Sequence, residues 1–178
     1  QVIINPFDFS KLRFDVIVGN PPYMKSEDMK NITPLELPLY KTNYDSSYKQ
    51  FDKYFLFLEQ GINLLTDDGI LGYIVPSKFT KVGAGLKLRE LLADKEYLHS
   101  IVSFGANQVF ADKTTYTCLL ILSKKAQKTF KYAEVKNLKS WKVREPNAVK
   151  YGTKNTSKLD NEVWVLVQQD MTNAYNKI

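Results

Sequence analysis

The chain has 178 residues, 44% of them hydrophobic and 25% charged, which is the composition of one globular domain with a proper core and too short for a multi-domain enzyme. A single cysteine, Cys118, excludes an internal disulfide framework, and with a single histidine, His99, it leaves no zinc ligand set. The net charge of +6 and a pI near 9.2 favour a polyanionic partner such as nucleic acid over a merely basic soluble protein.

In chain order, residues 2–5 predict a short strand and Phe7-Asp8-Phe9 a turn. Residues 14–20 predict a second strand, whose Val16-Ile17-Val18 run has the pattern of a strand buried in a parallel sheet. Residues 24–49 hold Pro34, Pro38 and polar clusters without a sustained period, and predict a long loop, functional or mobile. Lys25, Lys30, Lys41 and Lys49 alternate there with Tyr40, Tyr44 and Tyr48, as in a DNA-facing loop or a solvated insertion.

Between 48 and 65 the apolar residues Phe51, Tyr54, Phe55, Leu58, Ile62 and Leu65 follow helical spacing, and Thr66-Asp67-Asp68-Gly69 predicts the stop. Residues 70–75 predict the next buried strand, 86–93 a helix, and 97–104, 114–123 and 130–135 three more strands. His99 falls in the first of these and reads as structural, and Cys118 reads as a small buried hydrophobe. Beyond residue 137 the pattern weakens. Residues 137–178 read as a linker or the start of a following target-recognition region, in which 161–169 could form one further strand. Helices alternating with apolar strands, then strands without a helix between them, predict an α/β domain over residues 1–136. Its sheet would be mostly parallel and end in an antiparallel hairpin. No apolar stretch is long enough to cross a membrane and no signal peptide opens the chain, so a cytoplasmic location is expected.

The most informative ten residues are 14–23, FDVIVGNPPY. Gly19 ends the strand and delivers Asn20-Pro21-Pro22-Tyr23 at its carboxyl end, where open α/β sheets place their ligands. A residue before proline is pushed out of the helical region, which holds Asn20 extended. Pro21 has a fixed φ, lacks an N–H and itself precedes a proline, so the direction of its carbonyl is nearly set. The Asn20 side-chain carbonyl and the Pro21 main-chain carbonyl then stand as two placed acceptors for one planar amino group, with the flat face of Tyr23 beside them. A Pro-Pro turn chosen for its backbone alone is the other reading, and the strand context weighs against it.

FDVIVGNPPY resembles the catalytic motif of S-adenosylmethionine-dependent amino-methyltransferases, above all the adenine-N6 DNA methyltransferases. The similarity continues through QFDKYFLFLEQGINLL (50–65), GILGYIVPSKFT (69–80), LRELL (88–92) and VFADKTTYTCLLIL (109–122). In this order the set is most similar to the methyltransferase region of type IIG restriction–modification enzymes. The resemblance implies a Rossmann-like methyltransferase fold, of which this chain supplies the catalytic half, with DNA as substrate and S-adenosylmethionine as cofactor. It implies catalytic roles for Asn20, Pro21 and Tyr23, stacking of a flipped base on Tyr23 and Phe110, and cofactor contacts from Asp8, Phe9 and Asn20. Lys78 and Lys113 are candidate phosphate contacts, and no metal is implied.

The family carries a glycine-rich, methionine-binding loop upstream of this region. No such loop occurs here, since Gly83-Ala84-Gly85 does not directly follow a predicted strand. The chain therefore reads as a fragment that works with the remaining domains of a parent chain. A protein-glutamine methyltransferase acting on release factors, an RNA adenine methyltransferase and a catalytically inactive DNA-binding module remain open as alternatives. The long basic–aromatic segment and Phe110 weigh against the first.

Overall fold

The computed structural model describes residues 12–110 and 115–167. The expected strand at residues 2–5, Asp8, Phe9 and Lys113 lie outside them. Six strands form one sheet: β1 (Phe14–Gly19), β2 (Leu65–Pro76), β3 (Leu98–Ser103), β4 (Thr117–Ser123), β5 (Thr129–Glu134) and β6 (Gly152–Asn155), in the order β1-β2-β4-β3-β5-β6. β1 runs parallel to β2 and β3 parallel to β5, while β4 lies antiparallel between β2 and β3 and β6 antiparallel to β5. Thus β1, β2, β3 and β5 share one direction, and the sheet ends in the antiparallel pair β5–β6. The expected α/β class holds. The strands foreseen at 114–123 and 130–135 are not each other's neighbours, because β4 is inserted beside β2.

Alternation in the strands sorts the core into two faces. Leu71, Tyr73 and Val75 of β2, with Cys118, Leu120 and Leu122 of β4, enter the main core. Helix α3 (Lys53–Asn63) brings Tyr54, Phe55, Leu58 and Ile62 onto that face, and α4 (Leu86–Asp94) brings Leu88 and Leu92. A smaller cluster of Val102, Phe104 and Val135 takes in Ile74 and Leu119 on the opposite side, where Phe104 meets the edge of Trp141 at 5.0 Å. Trp141 belongs to a short helix, residues 138–142, capped by the Asn137 side chain, which accepts from the amides of Lys139 and Ser140.

The structure corrects three expectations. Val16 and Val18 are 64% and 77% exposed, not buried. β1 forms the sheet edge and pairs only with β2, so the apolar run has one neighbour among the described residues. Residues 24–49 do not form a loop: they fold into α1 (Ser26–Ile32) and α2 (Glu36–Asn43). Short helices of this length need tertiary anchors, and Met29 and Leu37 supply them by entering the core. Pro34 separates the helices, and Pro38 sits in the first turn of α2, where a missing N–H costs no intrahelical bond. Finally, Thr66–Gly69 do not terminate a helix but extend β2, which begins at Leu65.

Past residue 137 the chain returns to the sheet as β6 and then to the core. The described part of 161–169 forms no strand; it tucks Trp164, 2% exposed, against Phe79.

Candidate active site

Because β1, β2, β3 and β5 share a direction, the segments leaving their carboxyl ends meet at one edge of the sheet. Those leaving β1, β2 and β3 are residues 20–25, 77–85 and 104–110. The start of β4 arrives at the same edge: Ser77 donates its amide to the Tyr116 carbonyl at 2.8 Å, and Phe104 donates to the Thr117 carbonyl at 3.0 Å.

The segment after β1 is stapled in place. Asn20 is exposed at the strand end, whereas Pro21 is buried. Tyr23 donates its hydroxyl to the Ile74 carbonyl at 2.8 Å and sets its ring against the edge of Tyr54, centroids 6.1 Å apart and planes at 75°. Tyr54, buried in the first turn of α3, donates its own hydroxyl to the Pro76 carbonyl at 3.1 Å. Two tyrosines thus hook the motif segment and α3 onto the last residues of β2. The backbone continues the attachment, with Lys53 donating to Met24 and Ser26 to Phe51, each at 2.8 Å, and a β-bridge joining Lys25 to Asp52.

Burial pushes the Tyr23 phenol up to about 12, with the Cys118 thiol adding to it, and raises Tyr54 in the same direction. At neutral pH Tyr23 is therefore a neutral hydrogen-bond donor, not a base. Asp52 is 5% exposed and pairs with Lys78 at 2.7 Å. Burial raises its carboxyl, and the Lys78 ammonium opposes that shift. Lys78 is consequently committed to a protein carboxylate as well as being a candidate phosphate contact.

Two cavities flank the segment after β2. One, of about 580 Å³, is lined by Lys25, Lys49, Gln50, Asp52, Lys78 and Gly83. The other, of about 740 Å³, lies among Ser77, Lys78, Lys81, Ser103, Tyr116 and Glu134. Lys78 and Val82 belong to both walls. Phe110 is partly buried and ends the segment that leaves β3. That segment is held by Asn107, whose side-chain amide donates to the Phe104 and Val135 carbonyls at 2.9 and 2.7 Å.

The fold therefore brings the Asn20–Tyr23 segment and the Phe110 segment to one edge. Asp8 and Phe9 lie outside the described residues. Four residues that sequence reasoning did not single out also build this edge: Asp52, Tyr54, Arg89 and Trp164. Tyr54 was visible only as part of an apolar helical face. Asp52, at the N-cap of α3, was open to reading as a helix start, but its pairing with Lys78 has no local signature. His99 is exposed in β3, and among the described residues no cluster of histidine, cysteine and acidic groups could hold a metal.

Strands of one direction, a reversed strand inserted beside β2, and an Asn-Pro-Pro-Tyr segment at a strand's carboxyl end define a Rossmann-like methyltransferase fold. The methyltransferase subunit of a type I restriction–modification system from Streptococcus thermophilus shares it, with a TM-score of 0.59 at 17% identity, over 89% of this chain and 37% of its own. The type IIG restriction endonuclease BpuSI shares it with a TM-score of 0.58 at 18% identity, over 87% of this chain and 20% of its own. The chain belongs to the Eco57I restriction-modification methylase family, which it matches over residues 3–110. It is 55% identical over 163 residues to the type II restriction enzyme and methyltransferase RM.Eco57I of Escherichia coli. The match covers 92% of this chain but only 16% of that relative's length.

Proposed function

We propose that this chain is the catalytic segment of a restriction–modification enzyme that methylates the N6 amino group of a flipped-out adenine in DNA. The observation that carries the reading is the placement of Asn-Pro-Pro-Tyr: Asn20 is open to solvent at the end of β1, while Pro21 and Tyr23 are fixed behind it. The adenine amino nitrogen is a poor nucleophile because its lone pair is delocalised into the ring. Asn20 and Pro21 accept its two N–H bonds and draw the nitrogen towards tetrahedral geometry, which frees the lone pair. The contribution is position and electrostatics.

A base within a duplex cannot reach this edge and must be flipped out, at a cost of a few kcal/mol that stacking offsets. Tyr23 supplies a ring whose hydroxyl is already tied to β2, so little side-chain freedom is lost on stacking. Phe110 is assigned the second face. S-adenosylmethionine, when bound, supplies the methyl group as part of a sulfonium. The residues present fit such a cofactor in one respect: Asn20 is exposed at the end of a strand whose outer flank is uncovered among the described residues. Asp8, Phe9 and Asn20 are assigned to hold it. No metal is assigned.

The enzyme that contains this chain works on DNA together with its other domains in this reading. Its assay is transfer of an isotopically labelled methyl group to duplex DNA, followed by mass spectrometry of the hydrolysed nucleosides. N6-methyladenine is the expected product. Label appearing instead on a glutamine side chain of a release factor, with none in DNA, refutes the adenine assignment.

A further inference from the structure

Arg89 is 2% exposed on α4, yet it makes no ion pair among the described residues. Its guanidinium is spent on backbone. Nη1 donates to the Phe79 carbonyl at 2.6 Å and to the Val82 carbonyl at 2.8 Å, and Nε donates to the Asn161 carbonyl at 3.0 Å. A buried guanidinium is costly unless its donors are satisfied, and here one cation satisfies carbonyls from two segments far apart in sequence.

The first of these segments, residues 77–85, separates the two cavities at the active edge and carries Ser77, Lys78 and Lys81. The second holds it independently of Arg89. Trp164 donates its amide to the Thr80 carbonyl at 2.8 Å, sets its ring against the edge of Phe79 at 6.0 Å, and donates Nε1 to the Asp160 carbonyl at 2.8 Å. Backbone carbonyls of Phe79, Thr80 and Val82 are thus all engaged from outside the segment. Its near end is tied to the motif side through Lys78–Asp52 and the Lys25–Asp52 bridge.

We propose that Arg89 is a positioning residue, and that with Trp164 it forms a latch through which the chain beyond β6 sets the segment after β2 against the Asn-Pro-Pro-Tyr segment. The inference rests on the methyltransferase reading above. Arg89 touches no substrate; it fixes the shared wall of the two cavities, so its loss loosens the place where the flipped base must sit. A misplacement of about 1 Å at such a site costs on the order of a hundredfold in rate.

The test uses the full-length enzyme carrying Arg89→Lys, Arg89→Met or Trp164→Phe, with activities normalised to the fraction of enzyme that binds S-adenosylmethionine. Lysine keeps the charge but cannot span the carbonyls. Both Arg89 variants are expected to lower kcat by about ten- to a hundredfold. They should also reduce the fluorescence of 2-aminopurine placed at the target adenine, with the salt dependence of DNA binding unchanged. Trp164→Phe, which keeps the ring and loses only the indole N–H, should be milder. Amide hydrogen exchange across residues 77–82 is expected to rise in both Arg89 variants, whatever the activity. Wild-type kcat and wild-type exchange in Arg89→Lys and Arg89→Met overturn the latch. Raised exchange in the variants of an enzyme whose wild type methylates no DNA supports the latch and overturns the methyltransferase reading instead.

Discussion

Asn20 is exposed while its neighbour Pro21 is buried, and that contrast divides their labour. The carbonyl of Pro21 is held by the chain itself, whereas Asn20 can be changed without disturbing the core. In the full-length enzyme Asn20→Ala should lower the methyl-transfer rate by about a hundredfold or more, the cost of one transition-state hydrogen bond. DNA affinity should change little, because phosphate contacts dominate it. Tyr23→Ala should instead weaken capture of the flipped base by roughly 1–3 kcal/mol. Single-turnover rates and DNA binding measured on both variants separate the two roles, and a near-normal rate for Asn20→Ala removes the catalytic assignment.

The Tyr23 hydroxyl also makes a pH prediction. In the folded chain the phenol stays neutral up to about 12, against an ordinary value of 10.0. The stabilisation from the neutral form is therefore complete below pH 10 and is lost as pH rises towards 12. Tyr23→Phe, which lacks the titrating group, should lose less stability than wild type between pH 10 and 12. At pH 8 it should be less stable than wild type by about 1 kcal/mol, because the Ile74 carbonyl loses its donor. Thermal melts at both ends of that range decide it.

At the scale of elements, the turn into α4 is set by close approach. Gly85 has φ −77, which any residue adopts, so its constraint is space alone. A Cβ there would collide with the Phe79 carbonyl oxygen and lie 2.8 Å from Arg89 Nη1. Gly85→Ala should destabilise by about 1–3 kcal/mol through overpacking, readable as a shift in the denaturation midpoint. The tie between the N-cap of α3 and the segment after β2 predicts an asymmetry. Lys78→Met strands a buried Asp52 carboxylate, whereas Asp52→Asn frees a lysine side chain that is 38% exposed and can return to water. The first should therefore destabilise more than the second, by several kcal/mol if Asp52 remains ionised. Equal losses in denaturant titrations would show that Asp52 is carried neutral in the fold.

For the molecule as a whole, the β1 edge, uncovered among the described residues, matters most. Val16 and Val18 face solvent on a strand that bears the candidate catalytic segment. The chain spans 16% of the E. coli relative's length, and its sequence holds no glycine-rich cofactor loop. The purified 178-residue chain should therefore fold around its sheet yet transfer no methyl group to DNA, and robust transfer by it would overturn that expectation.

Local chemistry made much of this legible in the sequence. The apolar run ending in Gly19 and two prolines determined where β1 ends, because proline restricts its own φ and its neighbour's conformation. Helical spacing placed α3, and apolar, alternating or β-branched runs placed most of the strands, for the same reason: one-dimensional period reports which side of an element is buried. The helices at 26–43 were not legible, since their stability comes from Met29 and Leu37 reaching a core built by distant residues. Nor were the Tyr23–Ile74 and Asp52–Lys78 ties, or the Arg89 latch. Each joins groups that only tertiary packing brings together, and no local pattern in the chain encodes a partner dozens of residues away.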